Sequence, residues 1–372
     1  MSNTLTRPGR RHAGTIAAIA SFLFTGVVAF GCSEAAPEDF GSPAESDPAD
    51  RTLEPATPPP ETRMFPEVFS VSDATMHDGV WFVLDGRAHQ VHRISPGGGP
   101  VLTFGREGSG PGEFRRTNAI VAHGDSIVVV DDGIVHVFSP GGQHIVDRRF
   151  RPGPTLDCLA PTVRVSDAVS TPAGLLLLFE CIRADTGTSI HAAVEAVDGT
   201  IRSLAHRDGE AKKFDFGGTL TVVGGHPQGF LFGSGWESCL DLVDLNGQRL
   251  DAICHDWLER LDFPAEAARE FEDVIADARR MGIRVQLPES MPAFVGVSAM
   301  PGGRLVYRVL ASGDPDVEMF QLVTQGEGGR TVTLPVPPAP MLFQDGTSVL
   351  AAWDELEGTR IYMRTLNSLE PS

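Results

Sequence analysis

Basic residues are scarce in this sequence, which has 30 Lys and Arg against 49 Asp and Glu and a formal net charge of −19. Nucleic-acid binding depends on Lys and Arg side chains that neutralise phosphates, so we expect no nucleic-acid partner. The same charge gives no attraction to anionic lipid. Attachment to a membrane would therefore require a covalent lipid.

Common catalytic signatures are missing too. The sequence has no G-x-S-x-G elbow, no H-E-x-x-H motif and no P-loop, which are the usual marks of hydrolases, zinc proteases and nucleotide-binding enzymes. Histidines are scattered, mostly at turns or on strand faces. His89 and His92 lie three apart in a predicted hairpin, where they are either two solvated turn residues, the favoured interpretation, or metal ligands.

Carboxylates fall near the ends of predicted strands, where two interpretations are open. They can accept backbone hydrogen bonds in turns, which we favour, or they can gather around calcium in a central channel. The residues concerned are Asp85, Asp131, Asp132, Asp244 and Glu237.

Glycine and proline are concentrated in one short segment, GREGSGPGEF, at residues 105–114. Such a composition cannot sit inside a regular element, so the segment is predicted to be a surface loop. Three short apolar runs follow, separated by turns at Gly124-Asp125, Asp132-Gly133 and Pro140-Gly141-Gly142. This pattern predicts a small antiparallel meander, the unit from which β-propellers are built.

The loop GREGSGPGEF, the following AIVAHGDSIVVVDD and the hairpin VHVFSPGGQHI resemble the six-bladed β-propeller lipoproteins that are distantly similar to NHL-repeat proteins. In that group a G-x-G-x-GPGEF loop joins blades. The core of an NHL repeat, Asp-x-x-Asn/His-x-Arg, is shortened here to the segment from Asp131 to His136. The resemblance implies an all-β, six-bladed β-propeller over residues 63–372.

Turn signals and apolar runs divide this region into six predicted blades. The sixth is short by one strand, and an N-terminal strand near Phe65 to Val71 is predicted to complete it, leaving no open edge. The predicted blades span residues 64–104, 114–150, 162–206, 216–256, 293–336 and 341–366.

One segment, at about 256–285, breaks the strand pattern. Pro264 suits a first helical position, apolar residues recur at helical spacing and Gly282 suits a C-terminal stop. An amphipathic helix is therefore predicted between the fourth and fifth blades. Its apolar stripe either packs on the propeller, the favoured interpretation, or forms a partner-binding or channel-covering lid.

The first residues are typical of an export signal: Arg7, Arg10 and Arg11 precede an apolar stretch that ends at Gly31-Cys32. Gly31-Cys32 resembles the bacterial lipobox, which implies a signal peptide at 1–31 and lipidation of Cys32. The alternative is an uncleaved membrane anchor, since the apolar run is nearly long enough to span a bilayer. Residues 32–62 are rich in Pro, Ala and acidic residues and predict a disordered tether. The expected location is the cell envelope, with the chain lipid-anchored, in the outer membrane, facing the periplasm or the exterior.

Four cysteines follow Cys32, an even number that suits disulfides in an oxidising compartment. Cys239 and Cys254 flank the turn signal Asn246-Gly247, which favours a bridge between them and leaves Cys158 with Cys181. Buried free thiols are the alternative.

Two function classes remain. The first is a membrane-anchored binding or scaffolding module that holds a protein, glycan or small-molecule ligand on a propeller face. The alternative is a metal-dependent propeller enzyme such as a lactonase or lyase. The first is favoured because such an enzyme should place Glu, Asn, His or Asp at a consistent blade position, and no such series is found.

Overall fold

The computed structural model describes the part of the chain between residues 62 and 365, with gaps. The described residues are 62–95, 102–131, 133–149, 151–152, 164–171, 174–183, 187–195, 200–208, 213–215, 221–256, 258, 260–262, 269, 272–280, 284–286, 289–294, 296–299, 305–310, 320–324, 331–333, 341–345, 348–355 and 358–365.

Strands come in groups of four along the chain, and each group forms an antiparallel sheet that we call a blade. After β1 (Thr62–Phe65), blade 1 contains β2 (Val71–His77), β3 (Val80–Asp85), β4 (Gln90–Ile94) and β5 (Leu102–Phe104). Blade 2 contains β6 (Thr117–His123), β7 (Ser126–Asp131), β8 (Ile134–Phe138) and β9 (His144–Arg149).

The short strand β10 (Arg151–Pro152) adds in parallel to the outer edge of blade 3. Blade 3 contains β11 (Arg164–Thr171), β12 (Gly174–Arg183), β13 (Gly187–Glu195) and β14 (Thr200–Asp208). After β15 (Lys213–Asp215), blade 4 contains β16 (Thr221–His226), β17 (Gly229–Ser234), β18 (Cys239–Val243) and β19 (Arg249–Cys254).

The predicted helix is confirmed between blades 4 and 5 as α1 (Glu272–Arg280), where Ile275 is buried. Pro264 and Gly282 lie outside the described residues. The next strand, β20 (Arg284–Gln286), pairs in parallel with β15. Blade 5 then contains β21 (Gly296–Ala299), β22 (Leu305–Leu310), β23 (Phe320–Thr324) and β24 (Thr331–Thr333), and the last three strands are β25 (Met341–Asp345), β26 (Ser348–Glu355) and β27 (Gly358–Thr365).

Blade 6 is completed by an N-terminal strand, as predicted, but this strand lies at Thr62–Phe65 rather than at Phe65 to Val71. β1 pairs antiparallel with β27, with Thr62 opposite Tyr362 and Phe65 opposite Thr359. The sheet order is β1-β27-β26-β25, so the strand from the start of the described chain takes the outer place. The first strands of blades 1 and 6 also lie against each other. The protein is a six-bladed β-propeller with its ring closed by this strand.

The core lies between blades rather than inside one sheet. On β12, Leu175, Leu177 and Phe179 pack against blade 2, whereas Leu176 and Leu178 face blade 4. Both faces of the sheet are buried, which explains the uninterrupted apolar run of this strand, since a half-exposed strand would alternate with polar residues. Within the described residues, no helix is long and apolar enough to cross a membrane.

Candidate functional site

A triplet of polar side chains recurs in blades 1 and 2, so the expectation that no Asp or His occupies a consistent blade position is wrong for these two blades. In blade 1, Asp85 ends β3, His92 lies on β4 opposite Val83, and Thr103 of β5 lies opposite His92. The register of blade 2 is the same. There the triplet is Asp131, His136 and Asp147, with His136 opposite Val129 and Asp147 opposite His136.

Asp85 accepts backbone hydrogen bonds, which confirms the favoured interpretation of this carboxylate. Its Oδ2 accepts the N–H of Phe69 at 2.6 Å, and its Oδ1 accepts those of Arg87 at 3.0 Å and Ala88 at 2.8 Å. Burial by itself would raise the pKa of Asp85. The neighbouring His92 and the backbone N–H groups outweigh that effect, so its pKa lies below the ordinary value.

Asp131 accepts backbone hydrogen bonds in the same way in blade 2. Its two carboxylate oxygens accept the backbone N–H groups of Arg115 and Arg116. Burial again opposes the charged form, but His136 and these N–H groups lower the pKa of Asp131 overall. Both aspartates therefore tie the segment before a blade to the end of the second strand of that blade.

Asp244 is a turn acceptor as well. Its side chain accepts the backbone N–H of Gln248 at 2.7 Å and that of Asn246 at 2.9 Å, in the hairpin between β18 and β19. These bonds, that to Gln248 first, lower the pKa of Asp244. Asp132 lies outside the described residues.

The interpretation of His89 and His92 as two solvated turn residues is wrong for His92, which is 1% exposed. It lies on β4 with Nδ1 3.1 Å from Thr103 Oγ1 and Nε2 3.8 Å from Asp85 Oδ2. His89 is half-buried in the turn before β4, with φ 54°. The sequence did not show that the two histidines differ in burial. His89 is in the turn, whereas His92 is on a buried strand face.

The outer strands of blade 2 bring together three ligand-type atoms, which we call the blade 2 cluster: His136, His144 and Asp147. His136 Nδ1 lies 2.7 Å from Asp147 Oδ1, and His144 Nε2 lies 2.6 Å from the same oxygen. All three ligand atoms lie within 4.8 Å of one another. His136 is buried, whereas the side chains of His144 and Asp147 are 27% and 28% exposed. The cluster is closed at one end and open to solvent at the other.

Asp147 supplies the negative charge of the cluster. Burial would raise the pKa of Asp147, but His144 and His136 more than offset this, so its pKa is lowered and the carboxylate is ionised at neutral pH. On its other side, His136 Nε2 is buried without a hydrogen-bond partner and lies 3.6 Å from Asp131 Oδ2.

The glycine-rich loop at 105–114 forms one wall of the cluster. Gly112 has φ +68°, and a Cβ at this position would come within 3.0 Å of the His144 ring. Its N–H lies 3.4 Å from Asp147 Oδ2. Phe114, the last residue of the loop, packs edge-on against His136 with ring centroids 5.2 Å apart. The loop that identifies the family resemblance thus shapes this site.

A second concave feature, which we call the interblade cleft, has a volume of about 220 Å³ and lies between blades 3 and 4. Leu204, Phe232 and Val243 give it an apolar floor. Arg207 of blade 3 pairs with Glu237 of blade 4 at 2.6 Å. Glu237 also accepts the N–H of Ser234 at 3.1 Å, which confirms its predicted turn role.

A further ion pair lines the cleft, between Arg249 and Asp241 at 2.8 Å. All four charged side chains keep contact with solvent, with exposed fractions of 26% for Arg207, 45% for Glu237, 61% for Arg249 and 44% for Asp241. The cleft can therefore offer both donors and acceptors to a bound molecule.

Sequence reasoning missed both features. His136 and His144 were two among scattered histidines, and Asp147 was not singled out. A signal was present, since the turn at Pro140-Gly141-Gly142 sets a hairpin register that brings the two histidines and Asp147 together. The sequence contains no such signal for the interblade cleft, because the walls of the cleft come from different blades.

One of the two predicted disulfides is confirmed. Cys239 and Cys254 face each other on β18 and β19, with Cα atoms 3.9 Å apart, and are bonded. Cys158 lies outside the described residues, and Cys181 lies on β12 with its backbone opposite Ser189. The Cys158–Cys181 bridge and lipidation of Cys32 stay predictions.

No family model and no curated protein matches this chain. Among solved structures, it is similar to a virginiamycin B lyase from Staphylococcus aureus, at 9% identity and TM-score 0.43 over 81% of this chain and 96% of that one. A putative exported protein from Bacteroides fragilis is 11% identical, with TM-score 0.46 over 80% and 91%. The calcium-binding protein regucalcin from Agrobacterium tumefaciens is 13% identical, with TM-score 0.42 over 79% and 89%. These are distant, propeller-type similarities, and the assignment of the fold depends on the sheets described above.

Proposed function

We propose that this protein is a lipid-anchored, extracytoplasmic binding module that holds a small ligand, or a small group of a protein or glycan, in the interblade cleft. The observation that carries the proposal is the cleft itself, where two Arg–carboxylate pairs converge beside three buried apolar side chains, since convergent polar groups in a concave site can orient a ligand. The cleft volume of about 220 Å³ suits one small polar molecule, a single side chain or a sugar unit.

The ion pairs at the rim favour exchange with a ligand. Exposed Arg–carboxylate pairs stabilise a fold by only about 0–1 kcal/mol, so a ligand that offers its own carboxylate or hydroxyl groups can displace Glu237 from Arg207, or Asp241 from Arg249, at little cost. Arginine then supplies a planar donor fork that matches a carboxylate.

The alternative, a metal-dependent lactonase or lyase, would use polar side chains on the inner strands around the channel. Two polar residues of β2 join blades 1 and 2. Asp73 Oδ2 accepts the N–H of Ile120 at 2.7 Å, and Thr75 Oγ1 accepts that of Ala122 at 3.1 Å. These contacts support a role in ring assembly and favour the binding module.

The test is a thermal-shift screen of amino acids, dicarboxylates and monosaccharides, followed by calorimetry of any molecule that stabilises the protein. Arg207→Ala and Arg249→Ala should each weaken binding at least about tenfold. Arg106→Ala is the matched control, because Arg106 pairs with Glu113 in the blade 1–2 loop. Binding that is unaffected by both cleft variants would contradict the proposed site, and turnover of a lactone would favour the enzyme.

A further inference from the structure

We propose that the blade 2 cluster, His136, His144 and Asp147, binds a divalent transition-metal ion, for which zinc is the best fit. Two imidazole nitrogens and one carboxylate oxygen are a common set of three protein ligands for zinc, with a fourth position left to water or a ligand. The site is on the outer strands of blade 2 and is independent of the interblade cleft.

The spacing of the ligand atoms suits a zinc ion. In a tetrahedral site with bonds of about 2.0–2.1 Å, ligand atoms lie roughly 3.3 Å apart. Asp147 Oδ1 is now 2.7 Å from His136 Nδ1 and 2.6 Å from His144 Nε2. Small rotations of the partly exposed His144 and Asp147 would open these distances, while His136 stays fixed in the core. Both imidazoles now donate to Asp147 Oδ1, because an ionised carboxylate only accepts; when the ion binds, these hydrogens move to the other ring nitrogens, Nε2 of His136 and Nδ1 of His144.

Asp131 is positioned to orient His136. With a metal on Nδ1, the ring hydrogen of His136 must be on Nε2, the nitrogen that now has no hydrogen-bond partner and lies 3.6 Å from Asp131 Oδ2. Asp131 is itself held by the N–H groups of Arg115 and Arg116. A carboxylate behind a metal-bound imidazole fixes the tautomer and strengthens the ligand.

Blade 1 shows what is specific to blade 2. It has the same aspartate and histidine, Asp85 and His92, and His92 Nε2 is likewise unpartnered. Its third position, however, is Thr103, whose hydroxyl is 3.1 Å from His92 Nδ1. The aspartate–histidine pair is therefore shared by blades 1 and 2, and blade 2 adds two further ligands, one of which is a carboxylate.

The surroundings restrict water without closing the site. Phe114 packs edge-on against His136, and Phe138 packs edge-on against His144 with ring centroids 5.5 Å apart. Apolar neighbours of this kind control solvent access and lower the local dielectric at a metal site. The exposed sides of His144 and Asp147 leave an entry path and an open coordination position.

The experiment uses the full exported protein, stripped of metal with a chelator. Titration with Co²⁺ should give the visible absorption of a tetrahedral complex with one equivalent bound, and Zn²⁺ should displace it and raise the melting temperature. His144→Gln and Asp147→Asn, both at the open side, should each weaken affinity at least about tenfold, and Asp131→Asn about 10–100-fold.

His92→Gln is the matched control, because it removes the corresponding histidine of blade 1 and should leave Co²⁺ binding unchanged. All variants are first checked for cooperative unfolding, and the two open-side variants keep the test valid if Asp131→Asn does not fold. The proposal is overturned if no tetrahedral Co²⁺ spectrum appears, or if stoichiometric binding survives in both His144→Gln and Asp147→Asn.

Discussion

Two separate effects disfavour any residue other than glycine at position 112. Its φ of +68° is unfavourable for any residue with a Cβ, and a Cβ would also press on His144 at 3.0 Å. The backbone effect alone costs about 1–2 kcal/mol, and the contact adds to it. Gly112→Ala should therefore lower the free energy of unfolding by more than that and displace His144, as measured by chemical denaturation.

Gly124→Ala separates the two effects. Gly124 has a similar φ of +55°, but a Cβ there would meet nothing within 4 Å. This variant should show the backbone cost only. Equal losses in the two variants would mean that the contact between the loop and His144 contributes nothing to stability.

Asp85 is one of several buried or hydrogen-bonded aspartates that make the fold sensitive to acid. Its pKa is lowered in the folded state from an ordinary value of 3.8, so the unfolded chain takes up the proton more readily. The stabilisation is fully present above that ordinary pKa and is lost as the pH falls through the lower, folded-state pKa.

Asp85→Asn should therefore be less stable than wild type at neutral pH, by about 1–3 kcal/mol, and the difference should shrink on acidification. Denaturation series at pH values from neutral down to about 3 measure this. Asp125→Asn, at an exposed turn, is the control. A stability difference for Asp85→Asn that does not change with pH would contradict the linkage.

At the scale of single residues, the sequence predicted the role of a side chain better than the residues that surround it. Asp85, Asp131, Asp244 and Glu237 were expected to accept backbone hydrogen bonds because they lie at strand ends, and they do. Burial of His92 was not predicted, since a hairpin shows which residues alternate but not which face is covered by the next blade.

At the scale of elements, the β18–β19 hairpin of blade 4 carries a disulfide. The bridge between Cys239 and Cys254 closes a loop with a sequence separation of 15, for which the loop-closure estimate is about 3 kcal/mol. The double variant Cys239→Ser/Cys254→Ser should lose about 2–4 kcal/mol of unfolding free energy. Reducing agent should destabilise wild type by a similar amount.

Non-reducing peptide mapping checks the partners directly. It should recover the Cys239–Cys254 peptide and, if the second prediction is right, a Cys158–Cys181 peptide. Exchange of partners between the two pairs would contradict the register in which Cys239 lies opposite Cys254.

Blade boundaries were predictable because they depend on local signals, namely apolar runs of strand length between Gly, Pro and Asn turns. The short strands β10, β15 and β20 were not, because each pairs in parallel with a segment far along the chain. Leu258 lies inside the segment that was predicted as a helical insertion, yet it belongs to the core and packs with blades 4 and 5. Such contacts arise only when the blades meet.

For the whole molecule, lipidation of Cys32 stays a prediction, and it would decide where the protein resides. Its acidic charge gives no affinity for anionic membranes, so Cys32→Ala should abolish metabolic acyl labelling and release the protein from the detergent-extracted membrane fraction. Cys158→Ser serves as a control for cysteine loss. Retention of the Cys32→Ala protein as an integral membrane protein would support an uncleaved anchor instead.

Ring closure by β1 constrains the order in which the blades can fold, because the two strands that pair lie at opposite ends of the described chain. Thr62 pairs with Tyr362, about 300 residues later, and closing so long a segment costs about 5 kcal/mol of chain entropy. The strand that is synthesised first must therefore wait for the strand that is synthesised last. Blades 1 to 5 have local partners and can form in sequence. Loss of β27 would leave β1 without a partner strand. Loss of β1 would leave β27 with an open edge. Truncation at either end therefore produces an aggregation-prone defect in blade 6.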